Sequence, residues 1–352
     1  MGWRGGEQQA FYLIRGLAEA GYPVLAAGIP RGEFVDRLSS CRGVQVIHAP
    51  LLTEWDFWSV RKLTRVVRDF AVDIVHAHTS HTHSLACLTK LFCPSVKVLV
   101  TRRVDFAPNR NFWTRWKYKR ADEIVAISDC IRQVLEDFGV ESDRIRVIHS
   151  AQDPRRLDHT PACLTEFGIS AGSPVLLCPA ALVGHKDHAT LIRAMKAIVT
   201  QKPDVHLLLA GEGELRGAIE SQISELGIAG NVHLLGYRKD VPALMKSADL
   251  FVLSSKMEGL GSTIIEAMFC GLPIVACASG GIPELVKNEE TGLLVPAQDA
   301  QGFAEAVIRL LNDKELAKRL ASQAKAFAAK NFHVDNMVSQ YIALYEELLK
   351  AG

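Results

Sequence analysis

Two glutamates flank a glycine-containing turn and the beginning of a predicted helix in the second half of the chain. Glu258 directly precedes Gly259-Leu260-Gly261, and Glu266 follows Glu258 after seven intervening residues. Glycines allow a backbone to approach a ligand closely, and the N-terminus of a helix attracts phosphate through its unpaired N–H groups. Carboxylates accept hydrogen bonds from hydroxyl groups, such as those of a ribose. The combination predicts a site for a phosphate-linked sugar, such as a sugar nucleotide.

The segments around this turn predict the edge of a parallel sheet. Short apolar runs at Leu250–Leu253 and Ile274–Ala276 are typical of buried strands, with a helix between them. Thr263 and Glu266 also have the T-x-x-E spacing of a helix capping box. Taken alone, Glu266 is better explained as a cap. Together with Glu258 and the flanking strands, the binding interpretation is favoured.

The stretch that begins at Glu258 reads E-G-x-G, followed by E-A-x-x-x-G-x-P-I-V-A. This pattern resembles the donor-site signature of glycosyltransferase family 4 (group 1), retaining enzymes with the two-domain GT-B fold. Segments 280–284 (GGIPE) and 292–295 (GLLV) match as well. The resemblance implies an α/β protein with two Rossmann-like, doubly wound domains and an inter-domain cleft. It also implies transfer of a sugar from a nucleotide-diphosphate sugar to a hydroxyl acceptor, such as a glycolipid or polysaccharide precursor of a bacterial cell envelope.

The resemblance also implies roles for individual residues. Glu258 is expected to hold the sugar hydroxyls, Glu266 the donor ribose, and His78 to lie near the anomeric end of the sugar. Lys186 and helix N-terminal N–H groups are expected to meet the charge of the departing diphosphate. Many members carry an arginine where this chain has Ala180-Ala181, which leaves that charge less fully covered. The remaining residues expected to bind the donor lie in glycine turns: Gly5, Gly6, Gly211, Glu212, Gly259, Leu260 and Gly261.

Four histidines lie at or just after the third predicted strand: His76, His78, His81 and His83. They lack the H-x-x-x-H spacing of a zinc helix and a nearby group of cysteines or acids, which disfavours a metal site. Polar residues at the carboxyl end of a parallel strand instead line a ligand crevice. His76 is expected to pack or hydrogen-bond locally.

Residues 97–120 contain eight lysines and arginines and one acid, interleaved with Phe112, Trp113, Trp116 and Tyr118. This mixture fits an anionic membrane surface or a phosphorylated glycolipid. It fits equally well a solvated helix face with its aromatic side chains in the core. Nucleic acid is the least favoured partner because the rest of the chain is not basic. The candidate acceptor contacts are Arg102, Arg103, Arg115 and Lys117.

Composition narrows the class of protein further. The 352 residues are 48% hydrophobic and carry a net charge of +1, which is typical of a globular protein without a global field for nucleic acid. The eight cysteines include no C-x-x-C pair, which predicts reduced thiols in the cytoplasm. No D-x-D motif occurs, so we expect no metal and no cofactor besides the nucleotide-sugar co-substrate. No apolar run has the length of a membrane span. The expected location is cytoplasmic, with peripheral contact at the inner membrane surface.

Strand and helix signals alternate along the chain, which predicts two series of βα units. The predicted N-terminal Rossmann-like acceptor domain spans 1–155, and the C-terminal nucleotide-sugar domain spans 156–332. A final helix within 333–352 is expected to cross back to the first domain, as in the GT-B fold.

The beginning of the chain is unusual for this fold. Gly5-Gly6 opens a predicted helix and is expected to form a phosphate-type turn. In the family such a turn follows the first strand, but only four residues precede Gly5. We therefore expect the first strand to be missing and the natural protein to begin roughly 8–15 residues earlier, which is enough for one strand and its lead-in.

Three other functions remain compatible with the residues. A sugar-nucleotide epimerase or phosphorylase would use the same fold. A nicotinamide-dependent oxidoreductase would use the spacing Gly211-x-Gly213-x-x-x-Gly217 after a strand, although the next strand ends in Gly236-Tyr237 without the acid that this fingerprint requires. A non-catalytic sugar-nucleotide binder would keep the site without the chemistry.

Overall fold

The computed structural model describes residues 5–350, which form two compact units. Unit 1 extends to Ala151 and resumes at Val334, and unit 2 is the continuous segment Gln152–His333. The boundaries predicted from the sequence lie after residues 155 and 332. Each unit contains parallel strands joined by helices, which confirms the predicted α/β class with two Rossmann-like domains.

Unit 1 begins with six strands and six helices that alternate along the chain. Most of these helices begin at a side-chain cap. Ser128, for example, accepts a hydrogen bond from the backbone N–H of Ile131 at the start of α6. The elements are α1 (Gly5–Glu19), β1 (Val24–Gly28), α2 (Glu33–Ser39), β2 (Val44–His48), α3 (Phe57–Asp69), β3 (Ile74–Ala77), α4 (Ser80–Phe92), β4 (Lys97–Arg102), α5 (Phe112–Arg120), β5 (Glu123–Ala126), α6 (Asp129–Phe138) and β6 (Ile145–Val147).

The strands of unit 1 form two separate parallel sheets. β1 pairs with β2, while β3, β4, β5 and β6 form the other sheet in that order. Within residues 5–350, one edge of β1 and one edge of β3 have no strand partner. Both strands are only partly buried, whereas β5 is buried throughout. Residues 1–4 lie outside the described part of the chain, and the expected additional strand remains a prediction.

Unit 2 contains one six-stranded parallel sheet with the order β12-β11-β10-β7-β8-β9. This is the order of a doubly wound sheet, with its switch point between β7 and β10. β7, β10 and β11 are buried along their whole length, as their apolar runs predict. The elements are β7 (Val175–Cys178), α7 (His188–Gln201), β8 (His206–Ala210), α8 (Arg216–Glu225), β9 (Val232–Gly236), α9 (Val241–Ser247), β10 (Leu250–Leu253), α10 (Ser262–Cys270), β11 (Ile274–Cys277), α11 (Ile282–Leu285), β12 (Leu293–Val295), α12 (Ala300–Asn312) and α13 (Lys314–Asn331).

The helix that follows unit 2 in sequence, α14 (Val334–Lys350), belongs to unit 1. Its residues Met337 and Tyr341 join one buried cluster with Tyr12 of α1 and Leu99 of β4. Gly16 of α1 permits this packing, because a Cβ there would lie 2.5 Å from a methyl carbon of Val338. Residues far apart in sequence therefore share one core.

Within residues 5–350, no helix combines the length and the apolar composition that crossing a bilayer requires.

Candidate functional site

The switch point of unit 2 brings two predicted site residues together. Lys186 ends a short 3₁₀ turn (Gly184–Lys186) that follows β7, and Glu258 follows β10. The Nζ atom of Lys186 and Oε2 of Glu258 form an ion pair, with side chains 17% and 15% exposed. Ser255 Oγ donates to the same carboxylate oxygen at 3.4 Å. Ligands of doubly wound sheets bind outside the carboxyl ends of these two strands.

The turn after Glu258 is shaped by a second glycine pair. The N–H of Gly281 donates to the carbonyl oxygen of Glu258 at 2.8 Å. A Cβ at Gly280 would lie 2.0 Å from that oxygen, and one at Gly281 would lie 2.5 Å from the oxygen of Gly259. Since only glycine permits this approach, Gly280-Gly281 fixes the backbone of the turn that presents the Glu258 side chain.

Glu266 lies in the second turn of α10 and does not cap it. The helix begins at Ser262, after Gly261 with φ +94°, and it has no side-chain cap. The predicted capping box of Thr263 and Glu266 is therefore wrong, because the left-handed conformation of Gly261 starts the helix earlier. Burial raises the pKa of Glu266 to about 7, against the smaller opposing effect of Arg156. Within residues 5–350, no group donates a hydrogen bond to this carboxylate, which leaves it available to ligand hydroxyls.

The glycine turn after β8 packs against the chain itself. A Cβ at Gly211 would lie 2.0 Å from the carbonyl oxygen of Ala180, and one at Gly213 would lie 2.3 Å from that of Leu182. The carbonyl of Glu212 accepts a hydrogen bond from the N–H of Leu182 at 3.0 Å, and its carboxylate pairs with Arg216 at 2.9 Å. These glycines are thus required by contact between two loops. The spacing that suggested a dinucleotide fingerprint therefore has a structural explanation.

In unit 1, His78 lies directly after β3 and beside Arg103. Nη2 of Arg103 approaches Nδ1 of His78 at 3.4 Å, and because a guanidinium only donates, Nδ1 is the acceptor. The proton of the neutral ring is then on Nε2, which can donate to a substrate. Burial, together with Arg103, lowers the pKa of His78 to about 3, so the ring is neutral at physiological pH. Nε of Arg103 is buried and has no hydrogen-bond partner among the described residues.

His76 is held by two hydroxyl groups from residues that are distant in sequence, and not by the local contacts expected. Its Nδ1 is 2.7 Å from the hydroxyl of Tyr345, and its Nε2 is 2.7 Å from the hydroxyl of Thr101. The rings of His76 and His78 are 4.1 Å apart. His76 therefore supports the neighbouring ring from a fixed position.

The beginning of α1 lies near the same residues. Gly5 and Gly6 are the first two residues of the helix, and a Cβ at Gly6 would lie 3.5 Å from Cδ of Arg103. The structure thus brings Gly6, Arg103 and His78 of unit 1 together. An anion at this helix N-terminus would also meet the guanidinium of Arg103.

Of the four candidate acceptor contacts, Arg103 lies beside His78, and the other three have different environments. Arg102 donates to the Tyr118 hydroxyl at 2.9 Å and to the carbonyl of Phe106, and Arg115 is exposed. Lys117 is buried, so its expected place on an exposed basic surface is wrong. Its Nζ donates to Glu54 at 2.9 Å and to the hydroxyl of Ser80 at 2.8 Å. These partners lie far away in sequence and draw the ammonium group inward.

Two functional candidates are not evident from the sequence. Tyr345 holds His76 from a helix 269 positions away, and no local pattern indicates this contact. His188, the first residue of α7, is buried, and within residues 5–350 neither of its ring nitrogens has a hydrogen-bond partner. Burial and nearby Lys186 lower its pKa to about 4. In the sequence, the only indication that His188 is a functional candidate is its position two residues after Lys186.

Comparison with known proteins extends these observations. The chain is 28% identical to N-acetyl-alpha-D-glucosaminyl L-malate synthase of Bacillus anthracis, over 84% of this chain and 80% of that protein. It is 32% identical to the lipopolysaccharide core biosynthesis glycosyltransferase LpsE of Rhizobium meliloti, over 66% of each. The crystal structure of Anabaena Alr3699/HepE in complex with UDP-glucose superposes with a TM-score of 0.85 at 22% identity, covering 98% of this chain and 97% of that one.

Two family models match the two halves of the chain. The model of glycosyltransferase family 4 matches residues 3–156, and the model of glycosyl transferases group 1 matches residues 165–327. The second match contains Lys186, Glu258 and Glu266, and the first contains His78 and Arg103. The chain therefore belongs to glycosyltransferase family 4, group 1, and has the GT-B fold.

Proposed function

We propose that this chain transfers a hexosyl group from a nucleotide-diphosphate sugar to a hydroxyl group of a cell-envelope glycan or glycolipid precursor, with retention of the anomeric configuration. In this reaction the bond between the anomeric carbon and the diphosphate oxygen breaks, and a bond to the acceptor oxygen forms. The acceptor hydroxyl loses its proton, and the nucleoside diphosphate leaves. The proposal rests on family membership and on the relatives, one of which is a glycosyltransferase of lipopolysaccharide core biosynthesis.

The observation that carries the proposal is the ion pair of Lys186 and Glu258 at the switch point of unit 2. An ammonium group there suits the diphosphate of a donor, and a carboxylate beside it suits the hydroxyls of the attached sugar. While no donor is bound, the two groups neutralise each other. Donor binding would exchange this contact for two others, Lys186 with phosphate oxygens and Glu258 with sugar hydroxyls.

The other residues of unit 2 have roles consistent with a nucleotide donor. Glu266 has a carboxylate without an internal donor and would accept hydrogen bonds from ribose hydroxyls. The N-terminus of α10, which follows Gly261, would stabilise the negative charge of the donor diphosphate. Lys186 and such N–H groups would meet the charge of the departing diphosphate without a metal ion.

In unit 1, His78 would act toward the sugar and the acceptor. Its ring is neutral, and Arg103 directs the proton to Nε2, so this atom can donate to a sugar hydroxyl. Arg103 and the N-terminus of α1 supply positive charge beside it.

The test begins with binding of UDP-glucose, UDP-N-acetylglucosamine and GDP-mannose, measured by thermal shift. Release of the nucleoside diphosphate from the bound donor is then followed with and without EDTA. We expect at least one donor to bind, turnover to survive EDTA, and Lys186→Met and Glu258→Gln to reduce turnover roughly 100-fold, as for loss of an electrostatic contact in a transition state. The control is Lys196→Met, an exposed lysine of α7.

Three outcomes would contradict the proposal. The first is that none of the donors binds. The second is that both variants turn over like the control, and the third is that NADH binds in place of a nucleotide sugar, which would favour the oxidoreductase. Retention of the anomeric configuration is tested separately, by NMR of the glycoside formed with an acceptor, from the coupling of its anomeric proton.

A further inference from the structure

Unit 1 carries a group of large apolar side chains that its own core does not cover. Leu52 and Phe57 are each 68% exposed, Trp58 is 78% exposed, and Phe112 is 83% exposed. Trp55 is 52% exposed and stacks on Trp113, the neighbour of Phe112 in sequence, with ring centroids 3.8 Å apart. We call these five residues, Leu52, Trp55, Phe57, Trp58 and Phe112, the aromatic rim. Exposed apolar side chains grouped in this way mark interaction surfaces.

Helix α3 continues from the aromatic rim with a cationic face. Trp58, Arg61, Lys62 and Arg65 have the spacing i, i+3, i+4 and i+7, so they share one side of the helix, and all four are exposed. The opposite side of the helix is buried and includes Val60 and Val67. Positive charge is therefore concentrated locally on a chain whose net charge is only +1.

The aromatic rim is held in place by its neighbours. Nε1 of Trp113 and Nζ of Lys117 each donate to the carboxylate of Glu54 at 2.9 Å. Asp56 caps α3 by accepting from the N–H of Ser59 at 3.0 Å. Because these contacts fix the segment on both sides, Trp55, Phe57 and Trp58 project from an ordered surface.

We propose that the aromatic rim and the cationic face of α3 dock on an anionic lipid bilayer. Tryptophan and phenylalanine side chains favour the interface between water and acyl chains, and lysine and arginine are attracted to anionic headgroups. The two features adjoin at Trp58, as an interfacial helix requires. A purely apolar partner would leave Arg61, Lys62 and Arg65 without complementary charge.

The surface lies close to the chemistry proposed for unit 1. The hydroxyl of Ser80 donates to Glu54 at 2.9 Å, and Ser80 is two residues from His78. A bilayer that receives the aromatic rim would therefore hold a lipid-linked acceptor near His78. This last step rests on the proposed function, whereas the docking itself does not.

The experiment is co-sedimentation of the intact chain with phosphatidylcholine vesicles, with or without phosphatidylglycerol. We expect binding only to the anionic vesicles, and weaker binding as salt rises, because exposed charges are screened beyond roughly 10 Å at 0.1 M salt. Tryptophan emission should shift to the blue on binding and be quenched by brominated lipid, as Trp58 enters the interface.

Two sets of variants locate the surface. Arg61→Glu, Lys62→Glu and Arg65→Glu together should weaken vesicle binding by roughly 100-fold or more, given the attraction of each cation to an anionic surface. The matched control changes net charge equally at exposed lysines of unit 2, with Lys196→Glu, Lys314→Glu and Lys325→Glu, and it should bind almost normally.

Trp58→Ser should lower the vesicle affinity at high salt, where the apolar contribution dominates. Phe92→Ser, at an exposed phenylalanine at the end of α4, should not.

The proposal is overturned if anionic vesicles bind nothing at low salt, or if both triple variants lose binding equally. It is also overturned if gel filtration shows a dimer that does not bind vesicles and that Trp58→Ser dissociates, because the aromatic rim would then be a dimer interface. Donor turnover measured without vesicles tests the proposed function separately from docking. The triple variant of α3 should lose vesicle binding and keep this turnover. If the unchanged chain shows no donor turnover at all, the proposed function is contradicted, but the result on membrane docking still stands.

Discussion

Glu266 is a carboxylate that burial makes difficult to ionise. Its pKa is raised to about 7, mainly because the site around it is shielded from water. In the folded chain the group is therefore protonated at pH values at which the unfolded chain has already lost the proton. Both folding stability and ligand binding should depend on this difference.

Replacing Glu266 by glutamine should change how stability depends on pH. Between about pH 4.3 and pH 7 the folded state binds more protons at Glu266 than the unfolded state, so stability falls as pH rises through this window and is constant above it. Glu266→Gln removes this loss. The variant should match the unchanged chain near pH 4 and be more stable at pH 8 by up to about 3.7 kcal/mol, the free-energy equivalent of a pKa raised from about 4.3 to about 7. Urea unfolding at pH 4 and pH 8 measures the free energy of unfolding of both proteins. If the variant and the unchanged chain differ by the same amount at both pH values, the prediction is contradicted.

The same substitution should weaken nucleotide binding. If the carboxylate accepts hydrogen bonds from the ribose, Glu266→Gln removes a charge-assisted contact worth about 1–3 kcal/mol. In the unchanged chain, affinity should rise as pH increases through 7, because the ionised form is the better acceptor, and the variant should lack this dependence. Isothermal titration calorimetry with the nucleoside diphosphate tests both, and unaltered affinity in a folded variant would remove Glu266 from the site.

The contact between Lys186 and Glu258 can be measured in the donor-free chain by a double-mutant cycle. Lys186→Met and Glu258→Gln should each destabilise the fold, and the coupling energy should be about 1–3 kcal/mol because both partners are largely shielded from water. The control pair is Arg216 and Glu220, which are 37% and 51% exposed on α8. Its coupling should be about 0.3–0.5 kcal/mol. Equal coupling energies would show that the pair at the switch point is an ordinary surface contact.

At the scale of elements, glycines decide how closely the loops of unit 2 pack. Gly211 approaches the carbonyl of Ala180 so closely that no side chain fits, whereas a Cβ at Gly217 in α8 would meet nothing within 4 Å. The two positions belong to the same glycine-rich segment. An alanine at Gly211 would therefore measure the free-energy cost of a steric clash, and an alanine at Gly217 would measure only the effect on the backbone.

Gly211→Ala should destabilise the chain by about 1–3 kcal/mol, as overpacking of a close contact does. Gly217→Ala should stabilise it by about 0.4–1 kcal/mol, because alanine restricts the unfolded chain and favours the helix. Urea midpoints measure both. A neutral Gly211→Ala would show that the loop after β7 moves away at little cost.

The sequence predicts the elements of unit 2 well because each one leaves a local signal. β10 and β11 are short apolar runs, and α10 ends at Cys270 with Gly271 as its C-cap, just before Leu272-Pro273. The cap of α10 is harder to predict, because the T-x-x-E pattern indicates a side-chain cap, whereas the residue before the helix is Gly261 with φ +94° and no side chain caps it.

Contacts between distant segments cannot be read from local patterns. Lys117 looks like one cation among many, and only the fold shows that Glu54, 63 positions away, lies beside its ammonium group. The position of Glu258 beside Lys186 likewise depends on strand order, which the motifs alone do not give. The motifs single out the residues proposed for the candidate site, but they do not indicate which side chains surround those residues.

At the scale of the whole molecule, unit 1 is built from two segments of chain that unit 2 separates. Tyr341 of α14 is 1% exposed in the core of unit 1, and its hydroxyl lies 3.0 Å from that of Thr101. The stability of unit 1 should therefore depend on α14, although α14 directly follows unit 2 in sequence.

Tyr341→Ala should destabilise unit 1 by about 3–5 kcal/mol, the usual cost of deleting a buried aromatic side chain. Hydrogen exchange should then show lost protection in β4 and β5 and unchanged protection in β7 and β10. Leu349→Ala, at a residue of the same helix that is 48% exposed, is the control and should change stability by less than about 0.5 kcal/mol. Equal loss of protection in both units would show that they unfold together.

The divided construction of unit 1 also sets an order for its synthesis on the ribosome. The first segment of unit 1 emerges before unit 2, and α14 emerges after it. At about 5–20 residues per second, translation of residues 152–333 takes roughly 10–35 s. During this interval unit 2 can fold as a continuous segment, while Leu13 and Leu99 still lack the helix that covers them. The nascent chain thus presents an incomplete apolar surface to chaperones until α14 arrives, and the yield of folded protein in the cell should be more sensitive to changes in that helix than its length suggests.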